Sequence, residues 1–130
     1  GCQLIKYNRT DMIQFGNQGD IKRSVLGSCR NRYKGALLDY QKAIEINPKD
    51  SHAYYNRGNS KYRLKDYKGA IADYTKAIEI NPKYLKAYYN RGYAYAKIYK
   101  QDDACKDYKT AISLGTKRKI IFHHLCFQNQ

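Results

Sequence analysis

YKGALLDYQKAIEINPK, from Tyr33 to Lys49, returns as YKGAIADYTKAIEINPK, from Tyr67 to Lys83. The two copies lie 34 residues apart and differ only at Leu37/Ile71, Leu38/Ala72 and Gln41/Thr75. AYYNRG keeps the same step, at Ala53–Gly58 and again at Ala87–Gly92. Single residues carry it into a third copy: Ala36, Ala70 and Ala104; Asp39, Asp73 and Asp107; Tyr40, Tyr74 and Tyr108; Ala43, Ala77 and Ala111. A fixed period of this length marks a stacked array, in which each copy buries its apolar face on its neighbours.

Each unit reads as two helices. Ala70, Tyr74, Ala77 and Ile78 fall at i, i+4, i+7 and i+8, one apolar stripe on a helical face. Asn47-Pro48 and Asn81-Pro82 are turn signals, because proline resists helix continuation. Asp50 or Ser51 is placed to cap the next helix, which runs to about Leu64. Asp66 is placed to cap the one after, which runs to about Ile80. Asp102 and Asp103 fall in the first turn of the last such helix, where its dipole favours anions, and Gly115 reads as its stop. Gly58 and Gly92 sit inside helices, where glycine costs about 1 kcal/mol relative to alanine. Their recurrence implies a partner helix too close for a larger side chain. The expected fold is all-α: an α-solenoid of stacked antiparallel helix pairs.

The composition agrees with a thin, elongated molecule. The chain has 130 residues, enough for one domain whose core needs neither disulfides nor a metal. It carries 15 Tyr and no Trp, and tyrosine buries its ring while keeping its hydroxyl wet. A net charge of +14 predicts attraction to acidic peptides, nucleic acid or anionic membrane. Cys2, Cys29, Cys105 and Cys126 form no CxxC pair, which excludes a zinc ribbon or a thioredoxin motif and points to a reduced, cytoplasm-like compartment. No apolar run approaches a membrane span or a signal-peptide core, so no membrane insertion is expected. The chain opens on Gly1-Cys2 rather than Met, which leaves room for an upstream targeting segment.

A 34-residue helix-turn-helix unit carrying Tyr54, Gly58, Ala70, Tyr74, Ala77 and Pro82 resembles the tetratricopeptide repeat (TPR) family. The next unit carries Tyr88, Gly92, Ala104, Tyr108 and Ala111, with Thr116 at the proline position. Arg57 and Arg91 depart from the family's usual apolar residue, and Lys61 departs from the tyrosine that Tyr95 keeps. The resemblance covers about 2.5–3 repeats: a partial first unit at 32–50, a second at 51–84 and a third at 85–118. Residues 1–31 are expected as an irregular or degenerate lead. In register, the first helix of unit one reads NQGDIKRSVLGSCRN, with two glycines and Ser24 where glycine belongs. Residues 119–130 are expected as a capping helix or a disordered tail.

The resemblance implies a non-enzymatic scaffold that binds another polypeptide in a concave groove lined by the first helix of each unit. The mapped positions are His52, Tyr55, Asn56, Asn59, Tyr62 and Arg63, then Lys86, Tyr89, Asn90, Tyr93 and Lys97. Their chemistry suits an extended, acidic or mixed-polarity segment. Asparagine grips peptide backbone, tyrosine gives flat contact, and the cations meet carboxylates. Some family members clamp a terminal carboxylate with Lys, Asn, Asn, Lys and Arg. The corresponding positions are Ile21, Val25, Asn56, Lys86 and Asn90, of which only Asn56 and Lys86 match, so that mechanism is disfavoured. Two other readings stand beside the scaffold. One is a basic nucleic-acid-binding repeat, with tyrosines to stack bases. The other is a structural or self-associating fragment of a longer array, since two or three units expose apolar ends.

Other residues point to structure rather than chemistry. Asp73 and Asp107 follow Arg57 and Arg91 at a constant distance, level across an antiparallel hairpin, and are expected to form structural ion pairs. His123, His124 and Cys126 cannot alone complete a tetrahedral metal site, and Lys117-Arg118-Lys119 reads as a solvated helix end. Neighbouring Asp102 and Asp103 point in different directions on a helix. No nucleophile elbow, phosphate loop or metal motif is present, so neither an enzyme activity nor a cofactor is expected.

Overall fold

A computed structural model describes residues 18–116 and Cys126, with side chains from Cys29 onward. Five helices follow one another without a strand among the described residues: α1 (Gln18–Ile46), α2 (Ser51–Arg63), α3 (Tyr67–Ile80), α4 (Leu85–Lys97) and α5 (Gln101–Ser113). Each helix packs on the next in the chain. None is long and apolar enough to cross a membrane.

The helix ends lie where the turn chemistry puts them. Asn47 and Asn81 each fold an Asx turn, their Oδ1 accepting from the backbone N–H of Lys49 and Lys83 at 3.2 Å. Asp50 caps α2 by accepting from Ala53 N at 3.2 Å, and Asp66 caps α3 by accepting from Gly69 N at 3.0 Å. Gly115, at φ +97°, closes α5. Lys65 and Tyr99, at φ +65° and +62°, turn the chain within the second and third units.

The hairpins close on two contacts. Arg57 donates from Nε and Nη2 to the two carboxylate oxygens of Asp73, at 2.8 and 2.7 Å. Arg91 does the same to Asp107, both bonds at 2.7 Å. The carboxylates are buried, at 3% and 4% exposure. Each guanidinium also lies over a tyrosine of its own helix, Tyr54 or Tyr88, so it covers the apolar surface that a leucine would. The second contact explains the recurring glycine. A Cβ on Gly58 would stand 2.8 Å from a ring carbon of Tyr74, and one on Gly92 2.5 Å from Tyr108. The glycine therefore accommodates a tyrosine ring, while Ala70, Ala77, Ala104 and Ala111 are fully buried in the layers between helices.

Unit one does not repeat the hairpin of units two and three. From Gln18 the backbone is helical and continues without a break to Ile46, so 18–31 forms no hairpin with 33–46. The register supplies the reason. Arg32 stands where Asp66 caps α3 and has no acceptor to offer. Ser24 stands where Gly58 admits the tyrosine ring. Among the described residues the second half of α1 has no hairpin partner and packs on α2, and Leu38 and Ile46 are 66% and 86% exposed. Residues 1–17 lie outside the described residues.

The cysteines also depart from expectation. Cys105 is joined to Cys126 by a disulfide across 21 residues, and Cys29 is disulfide-bonded too. Cys126 is helical and buried against Tyr89, Ala104, Tyr108 and Ala111. Apart from it, the C-terminal segment read as a cap or tail, with His123 and His124 and the run Lys117–Lys119, lies outside the described residues.

Asp73→Asn should lower unfolding free energy by about 1–3 kcal/mol, because it leaves the partly buried Arg57 guanidinium half-paired. Urea titration measures this, and a loss under 0.5 kcal/mol would show the pair to be idle. Reduction of Cys105–Cys126 should lower the melting temperature by roughly 5–10 °C while the helical circular dichroism below the transition persists, since the cross-link restrains the unfolded chain.

Candidate functional site

The first helices of units two and three, α2 and α4, run in the same direction with Tyr74 of α3 between them. The Tyr74 hydroxyl donates to Asn59 Oδ1 at 2.5 Å. The Asn90 amide donates to that same oxygen and to the Tyr55 hydroxyl, each at 3.0 Å. These four side chains form a polar floor that joins both units. Asn59 Nδ2 and Asn90 Oδ1 take no part in it.

Two adjoining clefts open along this floor. One, of about 450 Å³, is lined by Asn59, Tyr62, Arg63, Tyr74, Tyr89, Asn90 and Tyr93. The other, of about 290 Å³, is lined by Tyr55, Leu85, Lys86, Tyr89, Asn90, Gly115 and Thr116. Tyr89 and Asn90 belong to both, so the clefts make one trough. Of the residues expected in a groove, Tyr55, Asn59, Tyr62, Arg63, Lys86, Tyr89, Asn90 and Tyr93 line it, whereas His52, Asn56 and Lys97 line neither cleft. Tyr74 was readable only as core, from its place in the apolar stripe. Its hydroxyl end, which needs a polar partner once buried, is the signal that places it at the floor.

The trough's charge is one-sided. Among the described residues no Asp or Glu lines it, and Arg63 and Lys86 are exposed without an ion pair. Other cations nearby are engaged: Arg57 and Lys61 with Asp73, Arg91 with Asp107. Burial raises the hydroxyl pKa of Tyr74 and Tyr108 well above the usual value, with neighbouring tyrosines adding to it. Burial likewise pushes Tyr84, whose hydroxyl bonds His52 Nδ1 at 2.7 Å, up to about 12. Among the described residues no group of three or more His, Cys, Asp or Glu side chains is placed to hold a metal.

A stack of antiparallel helix pairs with an open trough along its first helices defines an α-solenoid binding module. Family models narrow this: one described as "Tetratricopeptide repeat" matches residues 51–84, another of that description 73–113, and a "TPR repeat" model 30–65. The chain belongs to the tetratricopeptide repeat family. No curated protein matches it. Among solved structures it is similar to the first TPR of Spaghetti (RPAP3) bound to the HSP90 peptide SRMEEVD, at 31% identity over 68% of this chain and 70% of that one, TM-score 0.66. The Arabidopsis OM64 TPR domain shows 30% identity over 68% of this chain and 74% of that one, TM-score 0.66. The TPR2B domain of yeast Sti1, in its pHsp70 complex, shows 27% identity over 65% of this chain and 67% of that one, TM-score 0.63.

The buried tyrosines set an alkaline limit. Their folded pKa values lie above the ordinary value of about 10, so their contribution to stability is complete below that pH and is lost as pH rises through the folded values. Tyrosinate absorbance from Tyr74, Tyr84 and Tyr108 should therefore appear only well above about pH 10, together with loss of helical circular dichroism.

Proposed function

We propose that the chain is a non-enzymatic scaffold that binds an extended, acidic or mixed-polarity polypeptide segment in the trough between α2 and α4. The observation that carries this is the polar floor. It holds Asn59 and Asn90 rigid, and it leaves the Asn59 amide as donor and the Asn90 carbonyl as acceptor for a peptide backbone. The tyrosine walls and acid-free lining suit the same ligand. The likeness to TPR domains solved with an HSP90 peptide and with pHsp70 supports a protein partner. Three of the five clamp positions differ here, at Ile21, Val25 and Asn90, so the ligand is an internal segment rather than a carboxyl-terminal tail. A cytoplasmic location is the reading that the cysteine spacing gives, and the Cys105–Cys126 disulfide stands against it.

Peptides blocked at both ends and the free-acid peptide SRMEEVD, titrated by fluorescence anisotropy, test this reading. Asn90→Ala should weaken binding of the blocked acidic peptides about tenfold, or roughly 1.4 kcal/mol, when measured well below its melting temperature, which loss of the two floor bonds lowers by a few degrees. SRMEEVD should bind no better with a free than with an amidated carboxyl end. Equal affinity in wild type and variant would argue against the trough.

A further inference from the structure

Resting on that reading, the geometry points to the ligand's spacing: we propose that the trough selects segments bearing two acidic side chains about five residues apart, one at Arg63 and one at Lys86. These are the exposed cations among its lining residues, and they stand at opposite ends of it. Arg63 ends α2, while Lys86 begins α4. The repeat sets the distance between them. Lys86 is the 34-residue counterpart of His52, eleven residues before Arg63 on α2. Eleven residues of helix span about 16 Å, and the step across to a neighbouring helix adds 8–10 Å at right angles, roughly 15–20 Å in all. An extended peptide covers that in about five or six residues, at roughly 3.3 Å each.

The space between the anchors has its own preference. Next to Arg63, the larger cleft is walled by Tyr62, Tyr74, Tyr89 and Tyr93. Its volume of about 450 Å³ admits a bulky apolar or aromatic side chain. The ligand pattern is thus acid, bulky residue, acid, with its backbone on Asn59 and Asn90. A single anion, or two adjacent ones, would leave one cation facing solvent and forgo the second charge-assisted contact.

Fluorescein-labelled twelve-residue peptides, blocked at both ends, decide the matter against the full chain. They carry Glu pairs at i,i+5, at i,i+2 or at i,i+9, with each Glu also exchanged for Gln. The i,i+5 peptide should bind at least fivefold tighter than the other spacings. In Arg63→Gln, exchange of one particular Glu should cease to matter while exchange of the other still weakens binding, and Lys86→Gln should reverse the pattern. Both positions are exposed, so folding is not at risk, and melting curves verify it. Affinities independent of spacing, or losses in Arg63→Gln that are equal for Glu and Gln peptides, would overturn the two-anchor assignment while leaving an Asn90-dependent groove intact. Failure of every peptide to bind wild type would overturn the groove reading and this inference with it.

Discussion

Every hairpin in the array depends on one interaction, the fork-to-fork bond between an arginine and the aspartate 16 residues later. Both carboxylate oxygens are taken by one guanidinium, which fixes how far the two helices slide past each other. The remaining Nη1 reaches the preceding unit, where Arg57 donates to Gln41 Oε1 at 2.6 Å and Arg91 to Thr75 Oγ1 at 3.2 Å. One residue therefore sets the register within a unit and between units. Its main effect is on geometry. Burial raises the Asp107 carboxyl above its ordinary pKa even though Arg91 opposes it. Burial also pulls Arg91 down, and its bond to Asp107 brings it above its ordinary value. A pair that roughly balances its own desolvation contributes little net stability but strongly disfavours other alignments.

That register is what makes the trough. Because α2 and α4 are held level, Asn90 meets Asn59 and Tyr55 across the unit boundary, although 31 and 35 residues separate them. In unit one the same pair cannot form along the chain. Arg23 and Asp39 keep the spacing of 16 but lie in one continuous helix, about 24 Å apart along its axis. Asp39 is accordingly exposed, whereas Asp73 and Asp107 are buried. The polar floor spans units two and three, where both hairpins are closed.

The periodic features were legible from residues alone, because the physics that produces them is local. Asp50, Asp66, Asn47 and Asn81 act on backbone groups two or three residues away. The Arg–Asp pairs were legible because a constant spacing across an antiparallel turn is nearly as informative as a local contact. What escaped the sequence depends on what happens between elements. Asn90 was read as a free gripping residue, yet both its donors are committed within the floor. Asn56 was read as its equal, being its counterpart 34 residues earlier, but it lines neither cleft. Equivalence in the repeat does not carry over to equivalence in the site, since the floor is built from unlike positions of successive units. The Cys105–Cys126 bond likewise has no precedent in the repeat, for no other unit carries cysteine there.

The break in periodicity at a single floor position shows how the site is confined. Asn59 accepts the Tyr74 hydroxyl, and its 34-residue counterpart is Tyr93. Tyr93 instead shares a hydrogen bond with the Tyr89 hydroxyl at 2.7 Å, and the buried Tyr108 hydroxyl finds no acceptor among the described residues. Leaving such a group unsatisfied costs about 1–3 kcal/mol. The tyrosine's ring accounts for its retention, because it fills the space against Gly92 that lets the α4–α5 hairpin close. The same exchange turns the far side of the trough from an amide surface into an aromatic wall. On the proposed reading, backbone recognition would be concentrated at Asn59 and Asn90, with cations beyond it on either side and a tyrosine-walled pocket next to one of them.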